Sequence, residues 1–393
     1  MKQLFRQHNF YTLLWCLYFL QGTLYAEGSM ISRILLLVFI MFSLYYFIVS
    51  NQQYKLPKLL KILNVLVILF GVYGLLRIII GTDQSWKWVN ESTTFFKEYE
   101  LSVLPVYAFY YFGRKNLIDD KWFFSVAFIF LFVALLGFRR ENLIRLQSAY
   151  GSGVTNNSGY MVLSLFPIVL FMKKNTILQY VFATTIFLFV LLSMKRGAII
   201  IGSVTFLCLL YNLLATAKKG KKKFFIIIFS FIAISVAVNV VGNMLATNDY
   251  FNTRLQKTLE GDMSGREDMY PMYFSYFKNE MNLFPLLFGN GADGTLKIFG
   301  NFAHNDWLEL AIDLGLLGII IYFAYLLSFY KTWKMSRRRL CSEYSLAIAI
   351  IFFICFARSF FSMSINGMPL YLTSVLGYCL AQFSMSMSRK NIQ

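Results

Sequence analysis

Charged residues are scarce in this sequence, and the few that are present lie between long apolar runs. Of 393 residues, only 14% are charged and 58% are hydrophobic. A soluble domain needs charged side chains over its whole surface, so this composition excludes one and is typical of a membrane protein. A helix that crosses the hydrocarbon core of a bilayer needs roughly 20 apolar residues, and the chain contains about a dozen such runs.

The residues and motifs of the common catalytic and metal sites are also scarce. The chain has two histidines and five cysteines, and the cysteines lack the spacing of a disulfide framework or a metal site. We interpret them as packing residues. A P-loop, a nucleophile elbow, a His-rich metal pattern and a dinucleotide fingerprint are all missing from the sequence. The sequence therefore gives no indication of a zinc site.

The apolar runs predict an all-α fold, a polytopic transmembrane helical bundle of about 12 helices. We expect residues 1–393 to form a single integral-membrane domain. The first run lacks a small-residue cleavage site and a second run follows at once, so we interpret it as a retained helix and not as a signal peptide. The runs lie near residues 10–26, 30–50, 59–81, 99–113, 121–138, 158–172, 176–194, 197–214, 224–246, 305–330, 344–362 and 366–387.

Lysine and arginine are distributed unequally between the two alternating sets of loops. One set carries most of the 37 basic residues against only Asp119, Asp120 and Glu343. By the positive-inside rule this set is cytoplasmic, so both termini are cytoplasmic and segment 247–303 lies on the opposite side. The net charge of +18 is then a topology signal at the anionic leaflet, and nucleic-acid binding is excluded. The set comprises Lys2, Arg6, Lys55, Lys58, Lys61, Arg114, Lys115, Lys121, Lys173, Lys174, residues 218–223, residues 331–339, Arg389 and Lys390.

Segment 247–303 is long for a connection between two spans, and such loops are usually functional. Residues 252–259 predict a short helix, and residues 267–278 predict an aromatic amphipathic helix. Residues 283–288 form an apolar patch suited to a membrane interface. We therefore expect one large, partly helical loop within the single membrane domain.

Two histidines are the candidates for moving a proton near neutral pH. His8 lies in the cytoplasmic tail, where we expect it to be solvated and without a function. His304 lies where the long loop turns into a transmembrane helix, so its ring is expected at the outer surface of the membrane. Asn305 or Asp306 is a candidate N-cap for that helix.

Three acidic residues follow His304 at helical spacing. Asp306, Glu309 and Asp313 are offset by three and four positions, so they share one face of the helix. Carboxylates in an apolar helix are costly in lipid, so they should face a polar cavity or a partner cation. The structural alternative is a capping histidine with the acids paired to loop arginines.

Several arginines lie on the non-cytoplasmic side, against the positive-inside trend. Placing an arginine in an apolar span costs roughly 2.5 to 3.5 kcal/mol, so such residues call for an anionic partner. A guanidinium binds phosphate through two hydrogen bonds and keeps its charge when partly desolvated. Snorkelling or an ordinary salt bridge is the alternative for each one. The residues are Arg139 and Arg140 after the fifth run, Arg196 beside Lys195 in a tight hairpin, Arg266 in the long loop, and Arg358 at the outer end of a helix.

Two glycine-rich pieces are candidates for wrapping a phosphate. They are Gly-Ser-Gly at residues 151–153 and Gly-Asn-Gly-Ala-Asp-Gly at residues 289–294. The specificity of both pieces is weak, and both are also ordinary turn sequences.

Taken in this order, these pieces resemble the O-antigen ligase and O-antigen polymerase superfamily. The resemblance rests on Lys-Arg-Gly at residues 195–197, Ser-Gly-Arg at residues 264–266 and Gly-Asn-Gly at residues 289–291. It rests most on the stretch at residues 304–318, which begins His-Asn and ends Leu-Gly-Leu-Leu-Gly. It covers the chain best from about residue 155 to the end, whereas the front half matches only as a hydropathy profile.

The resemblance implies an enzyme that joins lipid-linked oligosaccharides at the periplasmic face of the bacterial inner membrane. It also implies that the transfer needs no metal and no nucleotide, so we expect no cofactor. The implied donor is a polyprenyl-pyrophosphate-linked oligosaccharide, the acceptor a glycan or lipid A core, and membrane lipid and a chain-length regulator are further partners. His304 would be the general base on the acceptor hydroxyl. Arg196 and Arg266 would hold the pyrophosphate, with Arg358 as a looser counterpart. Supporting roles fall to Asn305, Glu309, Asp313, Lys195, Arg139 and Arg140.

The chemistry agrees with these roles. Displacing a pyrophosphate needs fixed cations for the developing negative charge and a base for the incoming hydroxyl. A retaining route would need a nucleophilic carboxylate at the reacting carbon, so we predict single displacement with inversion. Glu309 or Asp313 would then orient the His304 ring and not react.

Three alternatives to a polymerase stay open. A ligase would transfer the glycan to lipid A core; we favour the polymerase because the sequence shows no surface for that core. A lipid-linked glycan transporter or flippase should carry ionisable groups at mid-membrane and internal repeats, which are not visible here. A non-catalytic assembly protein would tolerate substitution of His304.

Overall fold

The structure, a computed structural model, describes residues 6–24, 29–80, 101–147, 158–172, 175–193, 195–217, 220–247, 256, 266–362 and 364–390. In these ranges the chain forms α-helices and one 3-10 helix, without a β-strand. The predicted all-α polytopic fold is confirmed. The 3-10 helix is Ile365–Gly367, and the α-helices are α1 (Gln7–Leu24), α2 (Met30–Gln53), α3 (Lys58–Ile80), α4 (Pro105–Arg114), α5 (Asp120–Gln147), α6 (Ser158–Leu163), α7 (Phe166–Val169), α8 (Thr176–Leu192), α9 (Arg196–Thr216), α10 (Gly220–Thr247), α11 (Arg266–Asn279), α12 (Leu283–Phe288), α13 (Gly294–Phe299), α14 (Asp306–Ser336), α15 (Ser342–Phe361) and α16 (Leu370–Lys390).

Six helices of the described ranges are long and apolar enough to cross a membrane. Helices also lie at the other predicted runs, but two of these runs are interrupted or short. The run at 158–172 is divided into α6 and α7. Pro167, in the first turn of α7, has no N–H to donate to the carbonyl of Leu163, so a continuous helix would lack this hydrogen bond. The run at 99–113 contains the ten-residue α4. The six long segments are Met30–Gln53, Lys58–Leu76, Asp120–Arg140, Arg196–Thr216, Asp306–Ser336 and Ser342–Phe361.

The core of the bundle is built around α4 and α16. Eight of the ten residues of α4 are buried, and the helix packs along the length of α16. A Cβ atom at Gly377 of α16 would lie 2.4 Å from the Val106 carbonyl oxygen and 2.8 Å from the Tyr110 nitrogen of α4. The absent side chain therefore allows the two backbones to touch, which is the usual way for helices to pack closely in a membrane.

His8 is buried, and the expectation of a solvated histidine is wrong. Only 3% of its surface is exposed, and its ring packs edge-on against Phe112 and Trp122, with centroids 6.1 Å away in each case. Helix α1 begins at Gln7, before the predicted run. The ring therefore packs in the aromatic core and is not exposed to solvent.

Helix α14 is not continuous. Gly315 has φ 64° and ψ −159°, far from helical values, so the helix is broken between Leu314 and Leu316. The backbone of the turn after α12 fits into this break. The N–H of Asn290 donates to the carbonyl of Ile312 (2.8 Å), and the N–H of Gly291 donates to the carbonyl of Asp313 (3.0 Å). The turn thereby satisfies carbonyls of the last turn before the break, as buried backbone requires.

The described part of the long loop is a small folded unit. Helix α11 confirms the predicted aromatic helix within a residue or so, and α12 coincides with the predicted apolar patch. Tyr273 of α11 is buried against Ala303 and Ile312, and its ring lies edge-on to Phe299 of α13 at 4.3 Å. The helix predicted at residues 252–259 lies outside the described residues. The loop therefore packs onto the first section of α14, the section that follows His304.

Candidate active site

His304 lies in a backbone conformation that is unusual for a residue with a side chain. Its φ is 53°, in the left-handed region, which costs a residue with a Cβ roughly 1–2 kcal/mol. The residues on either side are held by hydrogen bonds. The N–H of Ala303 donates to the Glu309 carboxylate, and the Asn305 side chain accepts from the N–H groups of Trp307 (2.9 Å) and Leu308 (3.3 Å). Asn305 is thus the N-cap, as predicted, and the imidazole is presented from a fixed turn.

Asp306 is buried and joins three parts of the chain. One carboxylate oxygen accepts from the hydroxyl of Tyr322 (2.8 Å), beyond the break in α14. The other accepts from the backbone N–H of Ser364 (2.7 Å), just after α15. The Arg358 guanidinium lies close enough to interact electrostatically with this carboxylate. Asp306 therefore has both hydrogen-bond donors and a nearby cation, which lowers the cost of burying it.

Arg358 is buried at the end of α15. Its Nη1 donates to the carbonyl of Gly367 (2.6 Å), and its Cζ lies 4.7 Å from the centre of the Tyr160 ring, a cation–π contact. The Nε has no hydrogen-bond partner among the described residues. The predicted phosphate-binding arginine is therefore held mainly by the protein itself.

Two cations lie near the ring of Tyr160 in α6. Arg358 contacts its ring, and the Lys195 Nζ lies 5.9 Å from the same ring centre. A Cβ at Gly197 would lie 2.2 Å from the Tyr160 hydroxyl oxygen, so the Lys-Arg-Gly sequence needs its glycine for this contact. Arg196, the half-buried first residue of α9, lies between Lys195 and Gly197. The structure thus brings the predicted hairpin to the end of α15.

Glu309 and Asp313 lie on the inner side of the folded loop, where both are buried. Asp313 accepts from the N–H (2.9 Å) and the hydroxyl (2.8 Å) of Thr295, at the start of α13. The acids therefore face polar groups of the loop, as their cost in lipid requires. Tyr273 lies near them and its hydroxyl has no partner among the described residues. Burial raises the pKa of this phenol, and the Glu309 carboxylate adds to the rise.

Three further predicted site residues, Arg266, Arg139 and Arg140, lie in α11 and α5. Arg266 is the first residue of α11, and its side chain lies outside the described part. Arg139 is exposed and Arg140 half-buried. Both lie inside α5, which continues to Gln147. The expectation that they follow the end of this helix is therefore wrong.

Most backbone N–H groups of the glycine-rich turn at 289–294 are already used within the protein. The N–H groups of Gly289, Asn290 and Gly291 donate to the carbonyls of Pro285, Ile312 and Asp313. The turn instead donates hydrogen bonds to the carbonyls just before the break in α14. The other piece, residues 151–153, lies outside the described residues.

Sequence reasoning did not single out the residues that hold the charged groups together. Tyr160 and Tyr322 lie inside apolar runs, where a tyrosine reads as a packing residue, and Thr295 and Ser364 lie in loops. A buried tyrosine hydroxyl usually needs a hydrogen-bond partner. Tyrosines inside apolar runs could therefore have been predicted to contact polar groups. In the described part, no group of three or more His, Cys, Asp and Glu residues is suited to holding a metal.

The arrangement offers a histidine on a hydrogen-bonded turn, two residues before a buried carboxylate that interacts with Arg358; Arg358 and Lys195 both lie near the Tyr160 ring. Such a site can take a proton from a hydroxyl and stabilise a developing anion. A search of characterised proteins finds no significant match to the chain. Residues 181–323, which include Arg196, Arg266 and His304, match the family described as O-antigen ligase. This match confirms the resemblance of the chain to the O-antigen ligase and polymerase superfamily.

Proposed function

We propose that the protein is a membrane glycosyltransferase that joins polyprenyl-pyrophosphate-linked oligosaccharide units at the periplasmic face of a bacterial inner membrane. The observation that carries this proposal is the position of His304. Its turn leads directly into Asp306, and Asp306 lies in the same cluster as Arg358 and Tyr160, beside the Lys195 to Gly197 hairpin. The residue proposed as the base is thus two positions from a carboxylate that interacts with Arg358, which supports a site that combines a base with positive charge for transfer from a diphosphate.

In the proposed reaction, an acceptor sugar hydroxyl attacks the anomeric carbon of the donor. The new glycosidic C–O bond forms as the C–O bond to the pyrophosphate breaks, and His304 takes the hydroxyl proton. The pyrophosphate leaves on its polyprenol with the bonding electron pair. Arg196 and Arg266 stabilise its added charge, and the anomeric configuration inverts. No metal or cofactor is part of the scheme.

Arg358 has a different place in this scheme. Its guanidinium is buried and in contact with Tyr160 and Gly367, so little of it is left for a ligand. Its charge still adds to the positive potential of the site. Arg139 and Arg140, near the end of α5, are proposed to support donor binding with their positive charge.

A polymerase and a ligase catalyse the same type of transfer and differ in their acceptor substrate. In a polymerase it is a second lipid-linked repeat unit, and in a ligase it is lipid A core. The description of the matched family names a ligase, whereas the sequence shows no surface suited to lipid A core. We favour the polymerase. Purified lipid A core, offered as the sole acceptor, separates the two.

The test uses membranes that contain each variant together with a lipid-linked repeat unit. His304→Asn removes the base but suits the left-handed backbone, since asparagine tolerates positive φ. We expect His304→Asn, Arg196→Ala and Arg266→Ala to insert normally and to lose the high-molecular-weight glycan. Arg338→Ala, an exposed arginine at the other end of α14, is the control and should keep full activity. Unchanged product length in His304→Asn and Arg266→Ala would reject the enzymatic assignment.

A further inference from the structure

The short helix α12 exposes an apolar surface. Leu283 and Phe284 are 71% and 70% exposed, and Leu287 and Phe288 are also exposed. These positions are one turn apart, so they form one face, and the Phe284 and Phe288 rings lie 5.2 Å from each other on it. Helix α12 carries no charged residue. An apolar face of this kind in water would mark a binding surface for an apolar partner.

The C-terminal end of α12 is hydrogen-bonded to the membrane-spanning part of the protein. The hydroxyl of Tyr73 in α3 donates to the carbonyl of Phe288. Tyr73 lies inside Lys58–Leu76, the section of α3 that is long and apolar enough to span a membrane. The end of α12 is therefore at the depth of a spanning segment, not above it.

The neighbouring surfaces have the same character. On α3, Val72, Leu75 and Leu76 are exposed and apolar, and on α14, Leu316 and Ile320 are as well. A Cβ at Gly315 of α14 would lie 2.7 Å from the Leu287 carbonyl oxygen, so α12 lies directly against the break. The apolar face of α12 is thus continuous with the lipid-facing surface of the bundle.

We propose that α12 is embedded in the leaflet on the His304 side of the membrane, with Leu283, Phe284, Leu287 and Phe288 in contact with acyl chains. The partner is a lipid surface. The face of α12 is uncharged and adjoins the exposed apolar residues of α3 and α14, which favours lipid as its partner. Segments 81–100, 248–255 and 257–265 lie outside the described residues, and each of them carries charged residues that an apolar contact would leave without partners. This inference does not depend on the enzymatic assignment.

If α12 is embedded in lipid, a series of contacts connects the membrane to the turn that carries His304. Helix α12 continues into the turn at residues 289–291, which donates hydrogen bonds to Ile312 and Asp313. Those residues belong to the same section of α14 as Glu309, whose carboxylate holds the turn that presents His304. The membrane thereby fixes one end of a chain of contacts whose other end is the proposed base.

The test places a fluorophore at single sites in the full-length protein. Cys208 and Cys341, the exposed cysteines, are replaced by serine, and Phe284→Cys is labelled with an environment-sensitive dye in liposomes. Lys297→Cys, on the exposed side of α13, is the matched control. Leu37→Cys, on the exposed face of α2, is the positive control for lipid contact. Lipids spin-labelled near the headgroup or near the chain end report contact and depth.

We expect the dye at position 284 to emit as in an apolar medium and to be quenched by the headgroup-proximal label, whereas the dye at position 297 is not quenched. Emission typical of water at position 284 would overturn the proposal. Apolar emission without quenching by either spin label would also overturn it, because a protein segment or a second copy of the chain would then cover α12. None of these readings requires glycosyl transfer, so a failure here and a failure of the proposed function are distinguishable.

Discussion

The Tyr322 hydroxyl donates to the Asp306 carboxylate at 2.8 Å, although the two residues are 16 positions apart on one apolar run. In a straight helix, with a rise of about 1.5 Å per residue, they would be about 24 Å apart. The bond exists because the backbone turns at Gly315. The apolar run therefore forms two helical sections. The short section before Gly315 carries the acidic residues, and the long section after Gly315 brings Tyr322 close to Asp306.

Replacing Tyr322 by phenylalanine should weaken this arrangement. Asp306 would keep the N–H of Ser364 but lose the phenol, and a hydrogen bond to a buried acid is worth about 1–3 kcal/mol. We expect a lower melting temperature in detergent and lower activity. Tyr330→Phe, an exposed tyrosine on the same helix, is the control. Equal stability of the two variants would mean that the bond does not hold the two sections together.

Gly315→Ala should destabilise the protein and reduce glycan synthesis. A Cβ there would lie 2.6 Å from the Gly289 nitrogen, and the backbone conformation of Gly315 (φ 64°, ψ −159°) alone costs an alanine about 1–3 kcal/mol. Gly71→Ala is the matched control, because a Cβ at Gly71 meets no atom within 4 Å. Thermal unfolding of both variants measures the difference. A Gly315→Ala protein as stable as Gly71→Ala would contradict the break in α14.

Glu309 should act on His304 through the backbone. Glu309→Gln keeps an oxygen that accepts from the Ala303 N–H, so we expect it to retain most activity. Glu309→Leu removes the acceptor, and a displacement of the base by about 1 Å can lower kcat by about 100-fold. KM should change little, because Glu309 does not touch the substrate. If Glu309→Gln is as inactive as Glu309→Leu, the carboxylate charge is required and the positioning role is wrong.

Loss of Arg358 should lower the stability of the protein, whereas loss of Arg196 should lower its activity. Arg358→Met removes the contacts to Tyr160 and Gly367, so we expect about 2 kcal/mol or more of lost stability. Arg196→Ala should lower activity at unchanged stability, since it is only half-buried. Melting curves and activity are measured on the same membranes. A stable but inactive Arg358→Met variant would show that Arg358 binds the donor directly.

Much of the fold could be predicted because lipid imposes a strong constraint on the backbone. Each buried N–H and C=O must be bonded within its own helix, so long apolar runs have to be helical. The tight turn before Arg196, the N-cap at Asn305 and the aromatic helix α11 are also local features. Each depends on residues a few positions apart, which is the range that a sequence pattern describes.

The break at Gly315 could not be predicted in the same way. The run at 305–330 has the length and hydropathy of one span, and a glycine inside it is ordinary. What divides it is the turn at residues 289–291, which supplies hydrogen bonds from another part of the chain. For the same reason the aromatic surroundings of His8 were missed, because Phe112 and Trp122 are more than a hundred positions away.

The amino-acid sequence alone determined that this protein is helical and membrane-bound, and that His304 begins a helix with acids on one face. Only the tertiary structure decided which groups satisfy those acids and which charges meet around Tyr160. Apolar periodicity and capping act within one or two helical turns. The hydrogen bond between Tyr322 and Asp306, and the approach of both Lys195 and Arg358 to the Tyr160 ring, depend instead on how distant helices pack, which the spacing of residues does not encode.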